Sequence, residues 1–243
     1  MTERSPGTRG ARFATTRWSV VLAAGRESTA EGRAALQTLC CAAWLPLYAF
    51  ARRGGAPPEE AADLVQGFFA DLLARDGVRD ADPDRGRFRT FLLAAFRHFA
   101  SKERARDRAA KRGGAAHHVS FDFDDGESRY RAEPVDHRTP ESVFERHWAL
   151  ALLDRVLDDL RRAYDGDRAL LFDTLRPWLV AGGDPPSHAA AAELLGMGIP
   201  AVKVALHRLR RRYRDLLRAA IAETVAAPDD VDDEIRHLAD ALA

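Results

Sequence analysis

The spacing of apolar residues along the chain predicts helices almost throughout. Ordered segments repeat their apolar positions about every 3.6 residues, and no segment of useful length alternates between polar and apolar residues as a strand does. Clear stripes of this kind run through residues 61–73, 88–99, 144–164 and 202–217. The pattern therefore predicts an all-α fold.

Interruptions in this pattern divide the helices into two groups. Residues 111–138 show no helical period and are rich in Gly and acidic residues, which is typical of a linker. Thr139 and Pro140 then provide an N-cap and a first-turn proline for a new helix. The predicted organisation is a disordered arm (1–12), a helical domain (13–110), an acidic flexible linker (111–138), a second small helical domain (139–225) and an acidic C-terminal extension (226–243).

Individual helix boundaries follow from the same signals. We expect a short helix near residues 15–25, a long one over about 31–53 with a kink at Pro46, one from Pro57 to about Arg75, and one from Phe88 to about Arg108. The C-terminal extension is amphipathic through Val231, Ile235, Leu238 and Leu242. It is expected to fold back on the basic helix before it, or to dock on a partner.

Residues 187–214 fit a helix-turn-helix. Ser187 is placed to cap a short Ala-rich helix, and Gly196 permits the positive backbone angle at the turn. Small Ala192 lets the two helices approach each other, and Val202 packs back into their crossing. These spacings predict that the second helix begins near Ile199 and presents one face to solvent.

Charge is distributed very unevenly although the formal net charge is zero. Residues 97–112 carry seven Lys/Arg against two acids, and 203–218 carry seven against one, whereas 121–145 and the tail from 226 are acidic. A solvated basic helix is one interpretation of the second basic block. The other is a DNA-binding helix, which we favour because like charges at i and i+4 cost stability unless something offsets them.

Three motifs then occur in one order along the chain: "EEAADLVQGFFADLL", "GRFRTFLLAAFRHFASKERAR" and "PSHAAAAELLGMGIPAVKVALHRLRRRYR". Together they cover much of both predicted domains. The chain resembles the sigma-70 family of bacterial RNA polymerase initiation factors, in particular its small extracytoplasmic-function (ECF) group. The resemblance implies a sigma region 2 domain that binds core RNA polymerase and melts the −10 element, followed by a region 4 domain that reads the −35 element.

The resemblance also implies roles for particular residues. The first motif would bind core polymerase through Asp63, Gln66 and Phe69. The second would contact double-stranded promoter DNA and the melted −10 strand through Phe91, Arg97, His98, Lys102, Arg104 and Arg106. The third would contact the −35 element through Ser187, Pro200, Ala201, Lys203, Val204, His207, Arg208, Arg210 and Arg211. His98, Lys102 and the "GIP" at 198–200 depart from the usual residues of the family, which puts the promoter sequence in question.

The acidic linker has two interpretations. In the family the connector threads through polymerase where nucleic acid would otherwise lie, so Asp122, Asp124, Asp125 and Glu127 could mimic nucleic acid. A solubilising tether explains the same acids equally well. For Phe91 too, a role as a core aromatic is the simpler interpretation.

Catalytic signatures are missing from the sequence. It contains no nucleophile elbow, phosphate-binding loop or metal-ligand spacing, so we expect no enzyme activity, no cofactor and no metal. Adjacent Cys40 and Cys41 favour a reducing, cytoplasmic setting. The uncharged residues 34–51 are interpreted as a buried helix and not as a membrane insertion.

Three functions remain open on the sequence. They are a promoter-specificity factor, a helix-turn-helix regulator that acts without polymerase, and an interaction protein that sequesters another factor. An anti-sigma protein is a candidate partner of the first.

Overall fold

A computed structural model describes residues 30–74, 87–110, 127, 130, 138–180, 184–225 and 227–243. Over these ranges the chain forms eight α-helices and no strand, which confirms the all-α prediction. The helices are α1 (Ala30–Arg53), α2 (Pro58–Ala74), α3 (Phe88–Ala110), α4 (Pro140–Arg162), α5 (Ala169–Leu175), α6 (His188–Leu195), α7 (Ile199–Ala222) and α8 (Val231–Leu242). The arm at 1–12 and the short helix expected near 15–25 lie outside the described residues.

Local sequence explains where several helices begin and end. The Thr139 hydroxyl accepts a hydrogen bond from the Ser142 backbone N–H at 3.2 Å, so it caps α4 as expected, and Pro140 occupies the first helical turn. Helix α1 continues through the buried Pro46 as a single α-helix. Helix α5 ends at Leu175. A 3-10 turn, Arg176–Trp178, follows it directly, and Pro177 in this turn interrupts the α-helical hydrogen bonding.

Helix α4 is the centre of the packing. It makes extensive contact with α1 and also packs against α7 and α8. Its residues Phe144, Trp148, Leu152 and Val156 belong to a large buried cluster shared with α1, α2 and α3. The rings of Phe68 and Phe96 meet edge to face at 5.3 Å in this cluster, and those of Phe88 and Trp148 lie 6.3 Å apart.

A second buried cluster lies under the helix-turn-helix. Its members come from the end of α4, from α5, α6 and α7: Leu160, Tyr164, Phe172, Leu175, Ala191, Ala192, Val202, Leu206 and Leu209. Half-buried Tyr213 packs against both clusters. Helix α4 therefore contributes to both cores, and the arrangement as two domains joined by a linker stays a prediction.

Helix α8 folds back on the rest of the chain. It packs against α4 and against the C-terminal end of α7, where Val231 and Leu238 join Ile221 and Val225 in the first cluster. The expectation that the tail returns to the basic helix is met at the end of that helix, beyond its arginine run. The acidic residues of α8 are consequently placed away from Arg208–Arg214.

One residue of the acidic stretch between α3 and α4 is held by α1. The Tyr48 hydroxyl donates a hydrogen bond to Glu127 Oε2 at 2.5 Å, and Arg52 donates to both carboxylate oxygens of Glu127 at 2.9 Å. Burial and this hydrogen bond raise the pKa of Tyr48 to about 12. Glu127 is thus engaged within the protein, while Asp122, Asp124 and Asp125 lie outside the described residues.

The length and apolar content of the described helices bear on whether one of them could span a membrane. Taken singly, none of them is both long and apolar enough to cross a bilayer, and α6 and α7 meet that test only as a pair joined across a 97° bend.

Candidate nucleic-acid interface

The turn between α6 and α7 has the geometry that its sequence predicts. Ser187 caps α6, with its hydroxyl accepting a hydrogen bond from the Ala190 N–H at 3.1 Å. Gly196 ends the helix at φ 61° and ψ 30°, a left-handed conformation that strains any residue with a Cβ. The next N–H, that of Met197, donates to the Ala192 carbonyl at 2.9 Å and closes the turn.

Packing then fixes the two helices at a steep angle. The chain bends by 97° between α6 and α7, within the range that helix-turn-helix pairs adopt. Ala191 and Ala192 are buried on α6, and Val202, Leu206 and Leu209 are buried on α7, all in the second cluster. The small alanines bring the backbones close, so the opposite side of α7 is left facing solvent.

Every predicted −35 residue is exposed on this unit. Ser187 precedes α6, and the others lie on the solvent side of α7: Pro200, Ala201, Lys203, Val204, His207, Arg208, Arg210 and Arg211. Ser187 also has a structural role as the cap. Arg212 and Arg214 are exposed too and extend the basic surface toward the end of the helix.

The cations of this surface have no partner among the residues that the structure describes. No hydrogen bond or ion pair joins Lys203 or the arginines at 208, 210, 211, 212 and 214 to another described side chain. Three of the four acids of α8 have partners elsewhere: Asp232 pairs with Arg218, Asp233 with Arg236, and Glu234 with Arg87 and Arg89. Arg208 and Arg212, and Arg210 and Arg214, are like charges one turn apart, which favours a polyanion as the missing partner.

The six −10 residues predicted on α3 differ in exposure and in their contacts within the protein. His98, Lys102 and Arg104 are exposed, whereas Phe91 is half-buried with its ring 6.2 Å from that of Phe88. Phe91 therefore fits its simpler interpretation as a core aromatic.

Two of the α3 arginines are paired within the protein. Arg97 forms an ion pair with Glu141 in the first turn of α4, and its guanidinium lies 5.4 Å from the centre of the Phe50 ring. Arg106 pairs with Glu103 one turn away at 2.5 Å. DNA would have to displace these partners, so these two arginines are less available than those of α7.

A cavity beside α3 was not foreseen from the sequence. It has a volume of about 320 Å³ and is lined by the C-terminal end of α1, the middle of α3 and one residue of α2, with two phenylalanines and two arginines among them. Its lining includes Phe50, Leu64, Phe96, Arg97 and Arg104. These helices are far apart along the chain, which is why periodicity along one helix could not reveal the cavity.

Of the three α2 residues expected to contact core polymerase, two are accessible and one is buried. Asp63 is exposed and Gln66 is half-exposed one turn later, so both are on the accessible side of the helix. Phe69 is 0 % exposed and packs against Phe68 with ring centres 5.5 Å apart. The assignment of Phe69 to this contact surface is therefore corrected: its ring is a core residue that supports the helix from within.

A buried ionic cluster near the start of α3 was missed entirely. Arg89 is 3 % exposed and forms ion pairs with Glu145 of α4 and Glu234 of α8. Arg87 adds a second contact to Glu234 at 2.8 Å. Burial lowers the pKa of Arg89 while Glu145 opposes that shift, and the guanidinium stays charged because its ordinary pKa is far above neutrality. The one sequence signal was Glu234 itself, an acid three residues after Val231 and four before Leu238 on an otherwise apolar stripe.

Within the described ranges no group of three or more His, Cys, Asp or Glu side chains is arranged to hold a metal ion. No protein-family model, curated protein or solved structure matches the chain, so the resemblance to sigma factors rests on its sequence motifs alone.

Proposed function

We propose that this chain is a sigma factor of the ECF group: it binds core RNA polymerase and directs promoter-specific initiation by recognising −35 and −10 DNA. The single observation that carries the proposal is the helix-turn-helix at 187–214. Its turn is closed by Gly196, its inner face is packed by Val202, and its outer face bears cations without partners in the described chain. That combination suits insertion of α7 into a major groove.

Two parts of α7 would make different contacts with DNA. The first two turns, with Ala201, Lys203 and Val204, form the part that would face base edges. The arginines from 208 onward would hold the phosphate backbone and supply affinity that does not depend on sequence. Sequence preference therefore resides in the few residues before Arg208.

The other two contacts of the proposal are supported more weakly. His98, Lys102 and Arg104 on α3 are exposed where −10 DNA would bind. On α2, Asp63 is exposed and Gln66 is half-exposed where a protein partner would bind. A factor of this kind works with polymerase in the cytoplasm and has no catalytic activity or cofactor of its own. An anti-sigma protein is the candidate regulator.

A helix-turn-helix regulator that acts without polymerase is the alternative. It is favoured by one observation: every residue predicted to contact DNA on α7 is exposed, whereas Phe69 of the predicted polymerase set is buried in the core. A plain DNA binder has no need of the Asp63 and Gln66 face, so this face separates the two functions.

Co-purification with core polymerase tests the proposal. The full chain is mixed with core RNA polymerase and resolved by gel filtration, alongside Gln66→Ala and a matched variant, Thr90→Ala, at an exposed position on α3. We expect the wild type and Thr90→Ala to elute with core, and Gln66→Ala to elute mainly as free protein. Failure of the wild type to bind core, with DNA binding retained, would establish the alternative.

A further inference from the structure

The first turns of α7 expose carbon where DNA-reading helices often carry polar groups. Val204 is 50 % exposed and Ile199 is 42 % exposed, and Pro200 and Ala201 between them are exposed as well. Ala201 and Val204 are three positions apart, so they are neighbours on the same side of the helix. We call Ile199, Pro200, Ala201 and Val204 the apolar edge.

The polar groups around this edge are hydrogen-bond donors. Residues 199–214 contain no Asp, Glu, Asn or Gln. The pairing groups on the exposed side are Lys203, His207 and the arginines, of which only a neutral His207 can accept a hydrogen bond. The helix therefore lacks the amides that pair with adenine through two bonds and the carboxylates that accept from cytosine.

One feature of the major groove complements such an edge. Thymine projects its 5-methyl group into the groove, and apolar side chains read that methyl by contact. The edge is flanked by Lys203 and five arginines without partners in the described chain, which match phosphate on either side. A protein partner for the same edge would have to neutralise these cations with acids of its own.

We propose that α7 reads thymine through its 5-methyl group, with Ala201 and Val204 as the residues that contact it. The inference rests on the proposed function, because it assumes that α7 enters DNA. It goes further in naming the base, the atom that is read and the residues that read it. Donors from Lys203 and His207 then favour guanine, which offers two acceptors in the same groove.

Replacing thymine by uracil tests this directly, because uracil pairs identically and lacks only the methyl. Two randomised duplex libraries, one made with dTTP and one with dUTP, are selected on the full chain, alone and in complex with core polymerase. Binding constants are then measured for the selected site with each thymine changed singly to uracil. We expect binding about fourfold weaker for each contacted methyl, the effect of burying one carbon-sized apolar group.

Substitutions test whether the apolar edge causes the difference in binding between thymine and uracil. Val204→Ala should bring the thymine-to-uracil ratio at its contact close to one without unfolding the protein, because Val204 is exposed. Leu170→Ala, at an exposed apolar position on α5, should leave the ratio unchanged.

Each outcome decides the inference. A uracil site bound as tightly as the thymine site overturns it, and so does a ratio that survives Val204→Ala together with Ala201→Gly. A chain that selects no DNA sequence in either form overturns the inference and the proposed function together. A chain that discriminates thymine from uracil but never binds core polymerase supports the inference while the proposed function fails.

Discussion

Arg89, in the first turn of α3, and Glu234, in α8, form an ion pair sealed inside the protein although 145 positions separate them in the chain. The same region is joined by a backbone hydrogen bond of 3.4 Å from the Phe88 N–H to the Thr224 carbonyl. The C-terminal helix thus holds the start of the candidate −10 helix against the end of the candidate −35 helix. Glu234 is the acid of α8 that serves this junction, and the basic face of α7 at 203–214 stays exposed.

Removing Glu234 should therefore destabilise the whole protein. Glu234→Ala leaves the Arg89 guanidinium buried with one fewer partner, which costs about 3–5 kcal/mol for a buried pair. Urea unfolding followed by circular dichroism measures the loss. The matched variant Asp233→Ala removes an exposed acid from the same helix and should change stability by less than about 0.5 kcal/mol. Equal unfolding midpoints for the wild type and Glu234→Ala would contradict the buried junction.

Replacing Gly196 by any residue with a Cβ should lower the stability of the protein. An added Cβ meets no atom within 4 Å, so the penalty of Gly196→Ala is backbone strain alone, about 1–2 kcal/mol at its positive φ. Glu193→Ala is the matched control, because it removes an exposed side chain one turn before Gly196 and requires no change of backbone conformation. Thermal unfolding of the two variants should differ clearly, and identical midpoints would mean that the turn is not closed as described.

Tyr48 gives the protein a dependence on alkaline pH. Its pKa of about 12 in the folded chain lies above the ordinary value of 10.0, so the fold favours the neutral phenol. That stabilisation is fully present below pH 10 and is lost as the pH rises toward 12, because the unfolded chain ionises its tyrosine first. Unfolding at several pH values should show a steeper loss for the wild type than for Tyr48→Phe over this window. Parallel curves would show that Glu127 does not hold the neutral phenol.

The salt dependence of DNA binding gives the number of phosphate contacts that the arginines of α7 make. Arg208→Ala should weaken DNA binding evenly across sequences and lower the slope of log K against log salt by about 0.9, one phosphate contact. Arg236→Ala removes an exposed arginine that is paired on α8 and should leave the slope unchanged. If both variants shift the slope alike, the effect reflects overall charge and the assignment of Arg208 to backbone contact is wrong.

Local features of this protein could be predicted from the sequence because single residues determine them. The cap at Ser187, the left-handed Gly196 and the start of α4 after Thr139 all depend on neighbours within four positions. Burial of Val202, Leu206 and Leu209 followed from one helical stripe. Phe69 lies on the α2 stripe too, and only the resemblance to a family suggested an exposed role for it.

Contacts between distant segments could not be predicted in this way. Nothing near Arg97 indicates that Glu141 pairs with it, and nothing near Arg89 points to Glu234. The amphipathic pattern of the tail predicts only that it folds back on the basic helix or docks on a partner. The fold pairs tail acids with Arg87 and Arg89 and, at the end of the basic helix, with Arg218, since helix packing decides which charges meet.

Run-off transcription with purified core polymerase tests the central claim most directly. A template library carrying random upstream sequence is transcribed with core alone, with the full chain added, and with Gln66→Ala or Arg208→Ala in its place. The account predicts promoter-dependent transcripts only when the chain is present, with fewer transcripts from Arg208→Ala and very few from Gln66→Ala. Transcription that is the same with and without the chain, from every template, would contradict it.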